Sequence, residues 1–230
     1  MKQRCLFRAR CNSTPPLWLM MLLSLPFMGY AAAQSLAGVE PSLRIIVRIY
    51  NYAHVSHRTL GQAEEVTSRI FRKAGVELAW LDCPTWHAGE EQYPACEPPL
   101  GAAEVDQRIL PSSMAARFGS SAEQLGFALA SARAGSVSDA WVFYDRVERL
   151  AESQVASCDQ ILGHSMAHEI GHLLLGPHSH SYGGIMRSNW DREYLEEASR
   201  GQLLFTRDQA RLIRDDVQAR SAMLEVSAVH

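Results

Sequence analysis

Residues 159–176 read DQILGHSMAHEIGHLLLG, and this stretch predicts a helix that carries its own candidate metal site. Apolar residues recur at helical spacing through it, and Gly176 followed by Pro177 marks its end. The apolar positions are Ile161, Leu162, Met166, Ile170 and Leu173. His168 and His172 lie four residues apart, a spacing that places side chains on one helix face. Both imidazoles can therefore reach a single ion.

Glu169 follows the first of these histidines and completes a His-Glu-x-x-His motif. In such an arrangement Zn²⁺ lowers the pKa of a bound water to about 7, and the glutamate takes a proton as the water attacks a polarised carbonyl. The motif thus predicts zinc as the cofactor, His168 and His172 as ligands and Glu169 as the catalytic base. A hydrolytic zinc site needs a third protein ligand. Two candidates follow, His178 and His180.

The segment 168–186 resembles the metzincin group of zinc endopeptidases, whose motif His-Glu-x-x-His-x-x-Gly-x-x-His precedes a methionine-containing turn. At the family's spacing the third ligand is His178, but Leu175 stands where the family has glycine, and Gly176 follows one residue later. A longer helix favours His180. The stretch also resembles one found in uncharacterised, predicted exported bacterial metallopeptidases, which places weight on His180. We therefore expect His180 as the ligand, with His178 as the alternative.

This resemblance implies a fold and further site residues. Met186 matches the methionine turn, an apolar floor under the metal that orients its ligands. The implied zincin-like fold is a twisted mixed sheet packed on the active-site helix, with an edge strand that pairs with an extended peptide. We assign that edge to residues 126–131. Tyr182 and Tyr194 are candidate donors to a developing oxyanion, and His164 is expected either at the surface or beside the first ligand.

The patterns outside the motif predict a mixed α/β fold. Strands are expected at 43–50 and 76–81, on either side of an amphipathic helix at 59–74. Such a strand-helix-strand unit gives parallel pairing. Further along, the sequence predicts a short strand at 108–110, strands at 126–131 and 140–144 that can form a hairpin, a helix after Asp145, and a closing helix at 206–224.

The amino terminus has the features of a secretory signal peptide. The first 33 residues contain four basic residues and no acidic one, followed by an apolar run at 17–28 and the small residues 31–33. We expect cleavage after Ala33, which gives a signal peptide at 1–33 and one zincin-like metallopeptidase domain at 34–230. The protein is then secreted or periplasmic and has no stable membrane association. Retention of the segment as an uncleaved anchor is the alternative.

Cysteine content and charge restrict the partners. Cys83 and Cys96 bracket a proline- and tryptophan-containing loop, and in an oxidising compartment we expect them to form a disulfide, with two free thiols as the alternative. Cys158 is expected to be a small buried hydrophobic residue. The formal net charge of −3 argues against nucleic-acid binding, and the chain has no basic patch for a membrane. A polypeptide substrate and a monomeric state are the remaining expectations.

Three functional hypotheses follow from these residues. The first is a secreted zinc-dependent endopeptidase in which a metal-bound water, activated by Glu169, hydrolyses the peptide bond. The second is a catalytically inactive, zinc-stabilised binding domain. The third is a zinc amidase that acts on cell-wall peptides, because such enzymes share the same ligands. The presence of Glu169 favours catalysis, since a binding domain needs no base at that position.

Overall fold

Five strands in the described part of the chain form one mixed sheet. The structure, a computed structural model, describes residues 42–85, 93–118, 124–130 and 138–227. The strands are β1 (Arg44–Asn51), β2 (Glu77–Cys83), β3 (Glu104–Leu110), β4 (Gly126–Ala130) and β5 (Ser138–Phe143). They lie in the order β2-β1-β3-β5-β4. Every pairing is parallel except that of β4, which is antiparallel to β5 and lies at one edge of the sheet.

This sheet confirms the predicted mixed α/β class. β1 pairs in parallel with β2, as the strand-helix-strand unit requires, and β4 and β5 form the predicted hairpin. Residue 131 of the expected edge strand and the turn of the hairpin lie outside the described residues. The prediction that β5 ends at Tyr144 was one residue too long, because Tyr144 begins the next helix.

The third strand is longer than the sequence predicted. It was expected only at 108–110, whereas β3 spans Glu104–Leu110. Asp106 and Gln107 are buried within it, and so the usual alternation of apolar and polar residues is obscured. Arg108 forms ion pairs with Asp106 and Asp139, which compensates buried charge that the sequence alone does not reveal.

Six α-helices are described. They are α1 (His57–Ala74), α2 (Ser112–Ala115), α3 (Tyr144–Ala151), α4 (Cys158–Leu175), α5 (Arg192–Ser199) and α6 (Arg207–Ser227). The predicted helices correspond to α1, α3, α4 and α6, with ends displaced by up to three residues. The sequence analysis missed α2 and α5, two short helices that follow loops. Asp191 begins α5 by accepting a hydrogen bond from the Tyr194 amide at 2.9 Å, an N-terminal cap that the sequence could have shown.

Helix α4 is the central element, since 13 of its 18 residues are buried. A helix that is covered on nearly all sides belongs to the core rather than to an exposed surface. It crosses α1 at Gly163, where a Cβ atom would lie 2.6 Å from the Ala63 carbonyl oxygen. The Thr67 hydroxyl of α1 is 2.8 Å from the Ala63 carbonyl oxygen and 2.9 Å from the Gly163 carbonyl oxygen. This hydroxyl therefore forms a polar contact between the two helices. The motif helix thus packs against both α1 and the sheet.

The cysteine pairing is also described. Cys83 at the end of β2 forms a disulfide with Cys96, as predicted. Cys158 is free and only half-buried, with its thiol 3.5 Å from the Tyr144 hydroxyl oxygen. Burial raises the pKa of this thiol, which is what an unreactive cysteine requires. The predicted signal peptide at 1–33 lies outside the described residues. None of the described helices is long and apolar enough to cross a membrane.

Candidate metal centre

Three imidazoles meet at the carboxyl-terminal half of α4. His168 and His172 come from the helix and His180 from the loop after it, and their ligand atoms all lie within 4.8 Å of one another. The Nε2 atom of His172 is 3.1 Å from Nε2 of His168 and 3.1 Å from Nε2 of His180. These are the two helical ligands and the favoured third ligand of the sequence analysis. The other candidate, His178, is exposed and is not part of the cluster.

The hydrogen bonds of the two helical imidazoles fix which nitrogen carries the proton. His168 Nδ1 is 2.8 Å from the Ile185 carbonyl oxygen, which can only accept, so Nδ1 is protonated and Nε2 is not. His172 Nδ1 is 2.9 Å from the hydroxyl oxygen of Ser179, whose own proton is donated to the Gly176 carbonyl. His172 Nδ1 is therefore the donor there, and its Nε2 is also without a proton.

Two unprotonated Nε2 atoms thus face each other at 3.1 Å, with no proton available to join them. The lone pairs of the two nitrogen atoms repel each other in the absence of a cation, whereas both can bind a cation placed between them. Tetrahedral nitrogen ligands at about 2.0–2.1 Å from zinc lie about 3.3 Å apart, close to the separation in this cluster. Burial lowers the pKa of His168 to about 3 and that of His172 to about 4, so both are neutral at pH 7, as metal ligands must be. The three-imidazole donor set fits the predicted Zn²⁺.

The length of α4 explains why His180 rather than His178 joins the cluster. The helix continues through Leu175 and ends at Gly176, whose positive φ of 93° turns the chain out of the helix. The chain must then travel back towards the helix face. Ser179 is held between the Gly176 carbonyl and the His172 imidazole, at 2.8 and 2.9 Å, and brings the next residue over the site.

Glu169 lies beside the cluster and is buried, with 5% of its surface exposed. Burial without a compensating charge raises the pKa of this carboxyl group to about 8. Its Cγ and Oε1 atoms occupy the space next to Gly126, the first residue of β4, where a Cβ atom would approach both to 2.9 Å. The candidate base is therefore confined between α4 and the edge strand.

The segment after the histidines forms the floor of the site. Met186 is fully buried, and its Sδ atom lies 2.8 Å from where a Cβ atom on Gly171 would be. The turn is held by hydrogen bonds from the Ser181 amide to the Met186 carbonyl and from the Ile185 amide to the Leu204 carbonyl, both at 2.9 Å. Met186 thus packs directly against the helix between the two ligands.

Three other candidate residues occupy unexpected positions. The Tyr194 hydroxyl is buried and donates to the Ile185 carbonyl at 2.6 Å, so its proton supports the floor instead of pointing at a substrate. Tyr182 is fully exposed and does not line the cleft. The surface position expected for His164 was wrong, because His164 is fully buried within a helix that is covered on nearly all sides. Its Nδ1 atom lies 2.7 Å from the Gln160 carbonyl oxygen.

A cleft of about 1000 Å³ opens over the cluster. The edge strand β4 lines one side of it, the loop 188–191 lines another, and His168, Glu169, His172 and His180 lie at its base. Trp190 in that loop stands with its ring 6.4 Å from the His168 ring. Sequence reasoning did not identify the loop, or the Ser179 and Ile185 groups that orient the imidazoles, because each depends on a tertiary contact.

Among known proteins, this chain is similar to solved structures only at low sequence identity. No protein-family model matches the chain, and no curated protein matches it. Among solved structures, a zinc-dependent peptidase from Methanocorpusculum labreanum aligns with a TM-score of 0.45 and 15% identity, covering 73% of this chain and 99% of that one. Archaemetzincin from Methanopyrus kandleri aligns with a TM-score of 0.43 and 12% identity, covering 78% of this chain and 99% of the other.

Proposed function

We propose that this protein is a zinc-dependent endopeptidase. The observation that carries the proposal is the meeting of three imidazoles, a buried carboxyl group and an exposed strand edge in one cleft. His168, His172 and His180 hold the metal, and Glu169 is the catalytic base. When bound in such a site, zinc supplies Lewis acidity, which polarises a carbonyl group and makes water more acidic.

Glu169 moves the proton in this reaction. Its carboxylate accepts a proton from the attacking water and delivers it to the nitrogen of the departing amine. Burial raises the proton affinity of this carboxyl group. The positive charge of a zinc ion held by the three imidazoles would lower it again, which keeps the carboxylate form available at neutral pH. His168 and His172 are kept in orientation by the Ile185 carbonyl and the Ser179 hydroxyl, so the chain positions the site before any substrate arrives.

The edge of the sheet supplies a binding surface for an extended peptide. β4 is the last strand in the sheet order, and no strand among the described residues pairs with its outer edge. Its backbone groups can therefore pair with a peptide by β-augmentation. Gly126 lies against Glu169, which places the peptide backbone within reach of the base. A cleft of about 1000 Å³ lies at the upper end of ligand pocket sizes and accommodates a peptide on both sides of the cleaved bond.

We further propose that the protein acts outside the cytoplasm. The Cys83–Cys96 disulfide supports this location, because such bonds persist in oxidising compartments. The basic and apolar segment at 1–33 is the export signal in this proposal.

The test combines metal analysis with a proteolysis assay. We expect one zinc per chain in the purified protein, and hydrolysis of casein that is lost on chelation and in Glu169→Gln. Glu193→Gln is the matched control, because Glu193 is an exposed glutamate on α5 outside the cleft. His180→Ala should lose zinc and activity, whereas His178→Ala should retain both.

Each alternative predicts a different result. Zinc without turnover of any peptide would favour the inactive binding domain. Hydrolysis of cell-wall peptides but not of casein would favour the amidase, which shares the ligands and the base. A protein that binds no zinc would contradict the metal site from His168 onward.

A further inference from the structure

The cleft carries two arginine side chains on the wall formed by α3. Arg146 and Arg149 both line it, together with Leu150 of the same helix. Arg146 is 8% exposed, donates a hydrogen bond to the Gln124 carbonyl and stacks over the Phe143 ring, with its guanidinium carbon 4.1 Å from the ring centroid. It is thus a fixed positive charge at the wall.

Arg149 is the exposed member of the pair. Its side chain is 58% exposed, and the only ion pair described for it is with Asp145 at 3.5 Å. An exposed pair four residues apart on a helix is weak, and 3.5 Å is longer than a charge-assisted hydrogen bond. The guanidinium of Arg149 can therefore exchange Asp145 for a carboxylate that enters the cleft.

The acidic residues of the cleft do not cancel this positive charge. Two of the described lining residues are acidic, Glu169 and Asp191. Asp191 is already engaged, because its Oδ2 atom pairs with Arg187 at 2.8 Å and its Oδ1 atom caps α5. Glu169 is the candidate base beside the histidine cluster, and its side chain packs against Gly126 at the start of β4. Asp145 and Glu148 also belong to α3, but they do not line the cleft. The α3 wall therefore presents positive charge to a group bound in the cleft.

The position of these arginines relative to the catalytic base follows from the edge strand. Arg146 contacts the carbonyl of Gln124, and Glu169 contacts Gly126, two residues further along the chain. Two residues of extended chain span about 7 Å. A peptide paired along β4, with its cleaved bond at Glu169, therefore places a side chain one or two residues from that bond beside the α3 wall.

We propose that this cleft selects peptides with an acidic side chain one or two residues from the cleaved bond, on the side where β4 begins, and that Arg149 is the specificity-determining residue. The inference rests on the proposed peptidase function. Arg146 contributes a fixed background charge, while Arg149 contacts the substrate carboxylate. A carboxylate at this wall gains attraction that a neutral isosteric amide lacks.

The test uses three quenched fluorescent peptides that differ only by Glu, Gln or Lys at one position, scanned over two positions on each side of the cleaved bond. With the zinc-loaded full chain we expect kcat/KM to be about tenfold higher for Glu than for Gln at the responsive position. An effect of about tenfold lies between the effects of fully exposed and of desolvated charge pairs. The ratio should fall to about 1–2 in Arg149→Gln, and Arg149→Glu should prefer Lys. Arg192→Gln is the matched control, since Arg192 is exposed on α5 and does not line the cleft.

A second readout separates this inference from the proposed function. Binding of the same peptides to Glu169→Gln can be followed through the fluorescence of Trp190, which lines the cleft. If no peptide is cleaved but Glu peptides bind about tenfold more tightly in an Arg149-dependent manner, the peptidase proposal fails and the charge selection stands. Equal cleavage and equal binding of Glu and Gln peptides, or a preference that survives in Arg149→Glu, would overturn the inference.

Discussion

Gly126 is the position where a single methyl group tests the geometry of the whole site. In Gly126→Ala the new Cβ atom would overlap the Trp141 carbonyl oxygen of the neighbouring strand and lie 2.9 Å from both Cγ and Oε1 of Glu169. The Trp141 carbonyl oxygen cannot shift easily, because β4 and β5 are paired at this point. The Phe143 amide also donates to the Leu125 carbonyl at 2.8 Å. Both the edge strand and the candidate base must therefore move.

The size of the effect follows from these overlaps. Forcing a methyl group into a packed site costs about 1–3 kcal/mol, partly offset by the gain of about 0.5–1 kcal/mol for replacing glycine within a strand. We expect a net loss of about 1–2 kcal/mol in the free energy of unfolding. A displacement of the base by about 1 Å costs about 100-fold in rate, so kcat/KM should fall by about 10- to 100-fold. Zinc content should stay at one per chain, since the three atoms nearest to the new Cβ belong to Trp141 and Glu169 and not to a histidine of the cluster.

The assay compares guanidinium chloride unfolding, zinc content and peptide hydrolysis in the variant and the parent protein. Gly61→Ala is the control, because its Cβ atom meets nothing within 4 Å and alanine stabilises a helix interior by about 1 kcal/mol relative to glycine. The two glycine substitutions should thus change stability in opposite directions. A Gly126→Ala protein with unchanged stability and full activity would show that Glu169 does not lie against the start of β4.

Three further predictions concern the disulfide, the buried histidine and the floor. Replacing Cys83 and Cys96 by serine opens a loop with a sequence separation of 13 and should cost about 3 kcal/mol, lowering the calorimetric Tm by about 6–12 °C; a shift under 2 °C would refute this. Burial lowers the pKa of His164 from 6.5 to about 4, so the unfolded chain binds more protons between these values and stability falls as pH drops through them, by up to about 3 kcal/mol at pH 4. His164→Leu should flatten that dependence in urea titrations at several pH values, and an unchanged slope would contradict the burial. Gly171→Ala should lower the free energy of unfolding by about 1 kcal/mol, because the clash with Met186 exceeds the gain in helix propensity; thermal unfolding that shows a more stable protein would place Met186 elsewhere.

The site helix could be predicted because its determinants are local. The spacing of the apolar residues, the histidines four residues apart and the stop at Gly176 all act within one element, and α4 has the predicted course. The sequence favoured His180 over His178 without excluding either, since the choice depends on how the chain returns to the helix. Ser179 hydrogen-bonds both to the Gly176 carbonyl at the helix end and to the His172 imidazole, and so it brings His180 into the cluster.

What sequence reasoning missed depends on contacts between elements. The first half of β3 reads as a loop because it is polar. In the structure its buried Asp106 pairs with Arg108, whose guanidinium also lies over the Tyr50 and Trp141 rings of the two adjacent strands. His164 reads as a surface residue because residue spacing cannot show that neighbouring elements, among them α1 with Arg69, cover this part of α4. In both places a polar residue is buried by contacts with residues distant in the sequence, and the local sequence pattern does not reveal such contacts.

Two glycines within regular elements pack against functional groups of the site, and this bears on how the site works. Glycine is unfavourable within a strand or a helix, yet Gly126 begins β4 and Gly171 lies inside α4. At each position the space of the missing Cβ is filled by a functional group, the Glu169 carboxyl group in one place and the Met186 sulfur in the other. The base is therefore positioned by close packing between β4 and α4, and the floor by close packing of the Met186 turn against α4. A site built in this way has its geometry before substrate binds, which is the condition under which electrostatic stabilisation of a transition state is most effective.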